Sequence, residues 1–349
     1  MTRISAVDLF CGAGGLTHGF CKAGLHVNTG YDIDPACQFP FEHNNKASFI
    51  LRSVEDVSGK DLAEDFPAGD IKVLVGCAPC QPFSTYSRRY TDKELKWKLM
   101  YDFARLVQEC DPEIISMENV LQLKRHKVFH AFTTELEQLG YCITPYEVDC
   151  VRYGIPQSRK RLVLFASKFG KVNLIPSTHD EPNYETVRRT ISDLEPLEAG
   201  QSSETDRLHR CSKLSDLNLR RIRASKPGRT WRDWPDDMVA ECHAKGSGKT
   251  YPAVYGRMEW DLPSPTITTQ CFGFGNGRFG HPEQDRAISL REAALLQTFP
   301  REYQFVDPAD PVIFNRVGCL IGNAVPVKLG QVVAQSILNH IRQQKLGSA

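Results

Sequence analysis

A chain of 349 residues, 41% hydrophobic and 24% charged, is long enough for two domains with a sizeable core and is neither disordered nor fibrous in composition. No stretch approaches eighteen uninterrupted apolar residues, and "MTRISAVDLF" lacks a charged lead before an apolar run. Neither a secretion signal nor a membrane span is expected, and a cytoplasmic protein is the default expectation. The net charge of +1 hides one basic run, "LRRIRASKPGR" at 219–229, which fits either a polyanion partner or a solvated helix face, and the twelve cysteines are scattered as free thiols would be.

In chain order, "ISAVDLF" predicts a strand running into the glycine cluster "CGAGG", and "LTHGFCKAG" a helix stopped at Gly24. "LHVNTGYDID" predicts a second strand, and "PACQFPFEHN" a helix with Pro35 in its first turn. Further strands follow at "IKVLVGC", "EIISMEN", "CITPYEVD" and "RLVLFAS", with a helix at "HAFTTELEQLG". This alternation predicts an α/β fold with a doubly wound, mostly parallel sheet, whose ligands bind beyond the carboxyl ends of the strands. Beyond residue 178 the texture turns polar and irregular to about 285, which marks a second, smaller domain. "ISLREAALLQTFP" then restores helical periodicity, and "GNAVPVKLGQVVAQSILNHI" predicts a loop leading into a long amphipathic helix.

The glycine cluster lets a nucleotide-like ligand approach the backbone, but Thr17 stands where a dinucleotide fingerprint needs its third glycine, so a phosphate clamp is not indicated. Asp32, ending the second strand, is placed to hold a ribose hydroxyl pair. In "GCAPCQPFS", residues 76–84, the cysteine pair is open to several readings: half a zinc site, a redox pair, a nucleophile or a packing thiol. Zinc lacks a second ligand pair, and a redox pair normally opens a helix, whereas Gln81 and Pro82 suggest a rigid loop. The acid Glu118 in "MENV", at the end of another apolar strand, favours a nucleophile. A thiolate and a protonatable acid together suit attack on an electron-poor ring.

These residues resemble the DNA cytosine-5 methyltransferases of bacterial restriction-modification type, and the resemblance runs through nearly the whole chain. "DLFCGAGG", "YDIDPAC", "GCAPCQPFS", "MENV", "QSRKR", "SLREAALLQTFP" and "GNAVP" follow the family's motif order. The resemblance implies a catalytic domain over 1–178 and 312–349 that binds S-adenosylmethionine, and a target-recognition domain with hinge over 179–311. It implies Cys80 as nucleophile toward carbon 6 of a flipped-out cytosine, Glu118 on the exocyclic amine and ring nitrogen 3, and Asn119 and Pro79 placing that acid. Arg161, supported by Arg159, would bind the cytosine carbonyl or a neighbouring phosphate. For the cofactor and its product S-adenosylhomocysteine it implies Phe10 against the adenine, Gly12, Gly14 and Gly15 near the amino-acid end, Asp32 on the ribose hydroxyls, Asn323 near the methionine moiety, and Ile33 as a further cofactor contact. Ser53 stands where the family often has an adenine-binding Asp, and Asp32 replaces a commoner Glu.

The implied partner is double-stranded DNA, contacted by Gln81, Ser84, Ser87, Arg88 and Arg89, with Lys93, Lys96 and Lys98 as further phosphate candidates. Gln270 and Arg278 are the candidates in the second domain. No metal and no membrane are implied; a monomer and a companion restriction endonuclease fit the family pattern. A transfer-RNA cytosine methyltransferase is the competing reading, although "CFG" at 271–273 lacks that branch's Cys-Phe-Thr pattern. A non-catalytic DNA-binding homologue would have lost the nucleophile or the acid, and an NAD-dependent oxidoreductase is disfavoured by the glycine spacing.

Overall fold

The structure, a computed structural model, describes residues 3–79, 98–245 and 248–347. The chain divides into two compact units: 1–153, 160–177 and 324–349 form the first, 154–159 and 178–323 the second.

The first unit is built on seven strands: β1 Ile4–Leu9, β2 His26–Asp32, β3 Ser48–Leu51, β4 Ile71–Gly76, β5 Ile114–Asn119, β6 Cys142–Asp149 and β7 Lys160–Ser167. Their order is β3-β2-β1-β4-β5-β7-β6. β1 to β5 run parallel, and β7 is antiparallel to both its neighbours. Burial follows position in the sheet: every residue of β5 is buried, as a strand covered on both faces requires. β6 alternates and carries Pro145, which an edge strand tolerates.

The helices of this unit begin with α1 Gly15–Ala23, α2 Gln38–Asn45, α3 Gly59–Glu64, α4 Lys98–Cys110 and α5 Lys127–Gln138. α1 is entered through Gly14 at φ 83°, and it ends at Gly24, whose N–H closes onto the Phe20 and Cys21 carbonyls. Val7 and Leu9 of β1 join Leu74, Ile115, Met117, Leu162 and Leu164 in one core with Phe103 and Val107 of α4 and Phe129 and Phe132 of α5. Alternation along the strand turns Asp8 to the other face, where Thr17 of α1 meets it.

The second unit holds α6 Val187–Ile191, α7 Asp216–Ala224, α8 Glu241–Ala244, α9 Leu290–Leu296 and α10 Phe314–Asn323, joined by irregular chain. Ile222, Trp231, Trp234, Phe274 and Ala287 form a core of its own. Two boundaries differ from the sequence expectation. Residues 312–323 group with this unit because α10 packs on its irregular segment: the Phe314 ring lies tilted against that of Phe272, centroids 5.5 Å apart, and a Cβ on Gly322 would collide with the Thr268 backbone at 2.3 Å. Residues 154–159 group here because Gln157 and Ser158 pair with Ser264.

α11 Val327–Gly347 returns the chain to the first unit. It meets α1 almost backbone to backbone: a Cβ on Gly19 would lie 2.3 Å from the Val327 carbonyl oxygen, and one on Gly330 2.6 Å from that of Leu16. His340 of α11 also meets Ser167 at the end of β7, Nε2 to Oγ 3.0 Å. Residues 314–344 are apolar enough to pass for one membrane-crossing helix, but the helix breaks at 324–326 and 78% of the most apolar window is buried.

Candidate active site

Strand order reverses between β1 and β4, so a crevice is expected beyond their carboxyl ends. The glycine cluster follows β1, Asp32 ends β2, Cys77 to Pro79 follow β4, and Glu118 with Asn119 ends β5. Because β7 is antiparallel, its beginning lies at the same edge, which brings in Arg161.

Glu118 is opposite Val163, and Arg161 sits two residues along β7 on the same face. The carboxyl is only 4% exposed, with Arg161 Nε 3.0 Å from Oε1. This N–H is not aligned for a hydrogen bond, and Oε1 has no hydrogen-bond donor among the described residues. Oε2 accepts from the Cys77 thiol at 2.8 Å. Asn119 donates Nδ2 to the Ala78 carbonyl at 3.0 Å and accepts from Val120 N at 2.9 Å, which ties β5 to the loop leaving β4. Pro79 is exposed at the last residue described before Cys80. Cys80, Gln81, Ser84, Ser87, Arg88, Arg89, Lys93 and Lys96 lie outside the described residues.

At the other end of the edge, Asp32 accepts from Gly12 N at 2.9 Å and from Asp34 N at 3.0 Å, one bond on each oxygen. Each oxygen keeps a second lone pair for an outside hydroxyl. Phe10 holds a left-handed φ of 59°, a conformation that costs a bulky residue energy and that the packing of its ring on the core helps to hold. Gly12 and Gly14 also have positive φ. Ile33, 71% exposed, and Leu51, 55% exposed, offer apolar surface next to Asp32, which a flat aromatic ligand would cover. Ser53 caps the turn Val54–Asp56, its Oγ accepting from Glu55 N at 3.3 Å. The sequence reading missed Arg105 of α4, which holds this turn by donating to the Val54 and Val57 carbonyls at 3.1 and 3.0 Å. These groups suit an adenosine-containing ligand.

Asp8 lies beneath the glycine cluster with Thr17 Oγ1 donating to Oδ2 at 2.7 Å and Oδ1 lacking a hydrogen-bond partner among the described residues. Burial pushes its pKa up to about 7, the Thr17 hydroxyl opposes this, and the Asp32 charge adds to it. Between about pH 4 and 7 the folded protein therefore binds more protons than the unfolded chain. This contribution to stability is fully present below pH 4 and is lost as pH rises through 7. Asp8→Asn should be more stable than the parent at pH 8 by roughly 3–4 kcal/mol and converge with it only as pH falls to about 4. Urea unfolding across this range checks it; parallel pH dependences for parent and variant would count against it.

Arg159 is buried in the second unit, with Nη1 donating to Gln157 Oε1 at 3.3 Å and to the Ile267 carbonyl at 3.4 Å. Gln157 in turn donates to Gln297 Oε1 at 2.9 Å, so the front of "QSRKR" is a buried polar tie. Lys98 opens α4 and pairs with Glu55 at 3.1 Å, an exposed pair that contributes little. In the basic run, Arg220 pairs with Asp237, Arg223 with Asp285, and Arg221 lies buried over Trp234 and Tyr255, which leaves Lys226 and Arg229 as its exposed members without an ion pair among the described residues. Gln270 is exposed, Arg278 half-buried with its stem over Gly256, and Asn323 is exposed at the end of the second unit.

Residues 4–339 match the sequence profile of the C-5 cytosine-specific DNA methylases. Type II methylase M.HgiDII of Herpetosiphon aurantiacus is 54% identical over 95% of this chain and 94% of its own. Type II methyltransferase M.Eco47II of Escherichia coli is 30% identical over 96% and 79%. Among solved structures, a prophage-encoded E. coli protein superposes with TM-score 0.74 at 19% identity, covering 97% and 100% of the two chains. A Spodoptera frugiperda DNMT2 variant follows at 0.66 and 14%, covering 96% and 100%; these two likenesses show the fold.

Proposed function

Since the chain belongs to the C-5 cytosine-specific DNA methylase family and is thus a DNA cytosine-5 methyltransferase, we propose that it modifies a specific duplex sequence using S-adenosylmethionine, through a transient covalent bond from Cys80 to a flipped-out cytosine. The observation that carries this is the Cys77–Glu118–Arg161 arrangement at the sheet edge, with Cys80 three residues after Cys77 in the sequence.

S-adenosylmethionine, when bound, supplies the methyl group. Asp32 would hold its ribose hydroxyls, the apolar surface of Ile33 and Leu51 its adenine, and Phe10 with the glycine backbone the rest of its edge. Cytosine is a poor carbon nucleophile, so addition of the Cys80 thiolate at carbon 6 makes carbon 5 electron-rich. The Glu118 carboxyl would meet ring nitrogen 3 and the exocyclic amine, offsetting charge that develops there, and Arg161 would draw density through the base carbonyl. Departure of the carbon 5 proton and elimination of the thiolate then restore the ring. The target atom is hidden in the duplex, so the base must be flipped out at a cost of a few kcal/mol. The second unit would read the target, with Gln270 and Arg278 as candidate contacts. Pairing with a restriction endonuclease and a cytoplasmic setting belong to the same reading.

Tritiated S-adenosylmethionine offered with duplex DNA and with transfer RNA tests it: label should enter DNA alone, and bisulfite sequencing should place it at carbon 5 within one short motif. Exchange of residues 180–285 for those of another family member should move that motif. Label in transfer RNA alone would overturn the substrate, and a folded, active chimera keeping the original motif would overturn the role of the second unit.

A further inference from the structure

We propose that Cys77 is a positioning residue for the reaction: its thiol turns and holds the Glu118 carboxyl so that Oε1 is the oxygen presented to the cytosine. The proposal rests on the methyl-transfer reading above. Cys77 is only partly buried and is absent from the core that takes in its neighbour Ala78. Register explains the contact. Gly76 of β4 pairs with Met117 of β5, so the first residue beyond β4 comes alongside Glu118. There the thiol reaches Oε2 at 2.8 Å. Asn119 fixes the next carbonyl along, that of Ala78, so the backbone carrying the thiol is held to the strand that carries the acid.

A carboxyl group turns easily about its last torsion, and the turn swings the plane in which its oxygens accept hydrogen bonds. A donor on Oε2 removes that freedom. What remains is Oε1, beside Arg161 and without a hydrogen-bond donor among the described residues, ready to engage the base. Donation also requires the Cys77 thiol to keep its proton, so it does not compete with Cys80 as a nucleophile. A serine could substitute: its shorter bond draws the donor back by a few tenths of an ångström from a tight contact, leaving it within hydrogen-bond reach.

Cys77→Val keeps bulk and removes the donor; Cys77→Ser keeps a donor and loses bulk. In the full-length enzyme, Cys77→Val should lower kcat roughly tenfold with KM for DNA and for S-adenosylmethionine nearly unchanged, whereas Cys77→Ser should stay near the parent. A packing role predicts the reverse order. The contact also has a readout independent of turnover: the S–H stretching band that disappears in Cys77→Val should be shifted to low frequency in the parent and move toward the free-thiol value in Glu118→Ala. A Val variant as active as the parent, equal losses in Val and Ser, or an unshifted band would each overturn the proposal. Parent transfer to duplex DNA in the same series reports separately on the methyl-transfer reading, and the band decides the contact even if that transfer fails.

Discussion

Cys80→Ser should lower methyl transfer by on the order of 10⁴-fold and abolish the covalent adduct that the parent forms with duplex DNA carrying 5-fluorocytosine at the target. Fluorine at carbon 5 cannot leave as a proton does, so the parent should stop after methyl transfer with Cys80 still bonded to carbon 6. A serine hydroxyl at neutral pH supplies almost no alkoxide, and no described group next to Glu118 is placed to generate one, since Arg161 is a cation and Cys77 already donates to the acid. Thermal unfolding of the variant should match the parent, which separates lost chemistry from lost structure. An adduct formed equally well by Cys80→Ser would move the nucleophile elsewhere.

The largest stability effect is expected at Arg286→Met. Arg286 and Glu292 are both fully buried and joined twice, Nη1 to Oε2 and Nη2 to Oε1, each at 2.7 Å. Remaining valences are filled: Ser289 N donates to Oε2 at 2.7 Å, and Arg286 Nε donates to Gln284 Oε1 at 2.7 Å. His281, 3.8 Å from Glu292, cannot replace the arginine, because burial lowers its pKa to about 4 and leaves it neutral at pH 7. Removing the guanidinium strands a buried carboxylate, which costs about 3–5 kcal/mol. A unit of this size should then unfold roughly 10 °C lower. Adding Glu292→Gln should recover part of the loss, because the stranded charge is gone. A Tm unchanged in the single variant would show that Glu292 can be neutral at little cost.

The strands were legible where their causes are local: an apolar run, a glycine or aspartate at its end, and a spacing that leaves room for a helix. "IKVLVGC" and "EIISMEN" became β4 and β5 for that reason. Strand direction was not legible, since β7 reads as apolar in either orientation; only the partner strands reveal that it is antiparallel. The Cys77 contact depends on the register of two strands about forty residues apart, and the Gln157–Gln297 bond spans 140 positions. Arg159 and Arg161 look like one motif, yet the chain passes from the second unit to the first between them.

The glycine contact between α1 and α11 sets an order of events during synthesis. Leu16 and Phe20 are buried on a helix whose backbone closely approaches that of α11 through Gly19 and Gly330. About three hundred residues separate the two helices. At 5–20 residues per second, a ribosome needs about fifteen seconds to a minute to cover that distance. Throughout that interval the nascent chain carries an uncovered apolar helix face directly after its glycine loop. The glycine loop and the helix it opens can reach their final packing only when translation is nearly over, so a polypeptide stalled before α11 should remain incompletely packed.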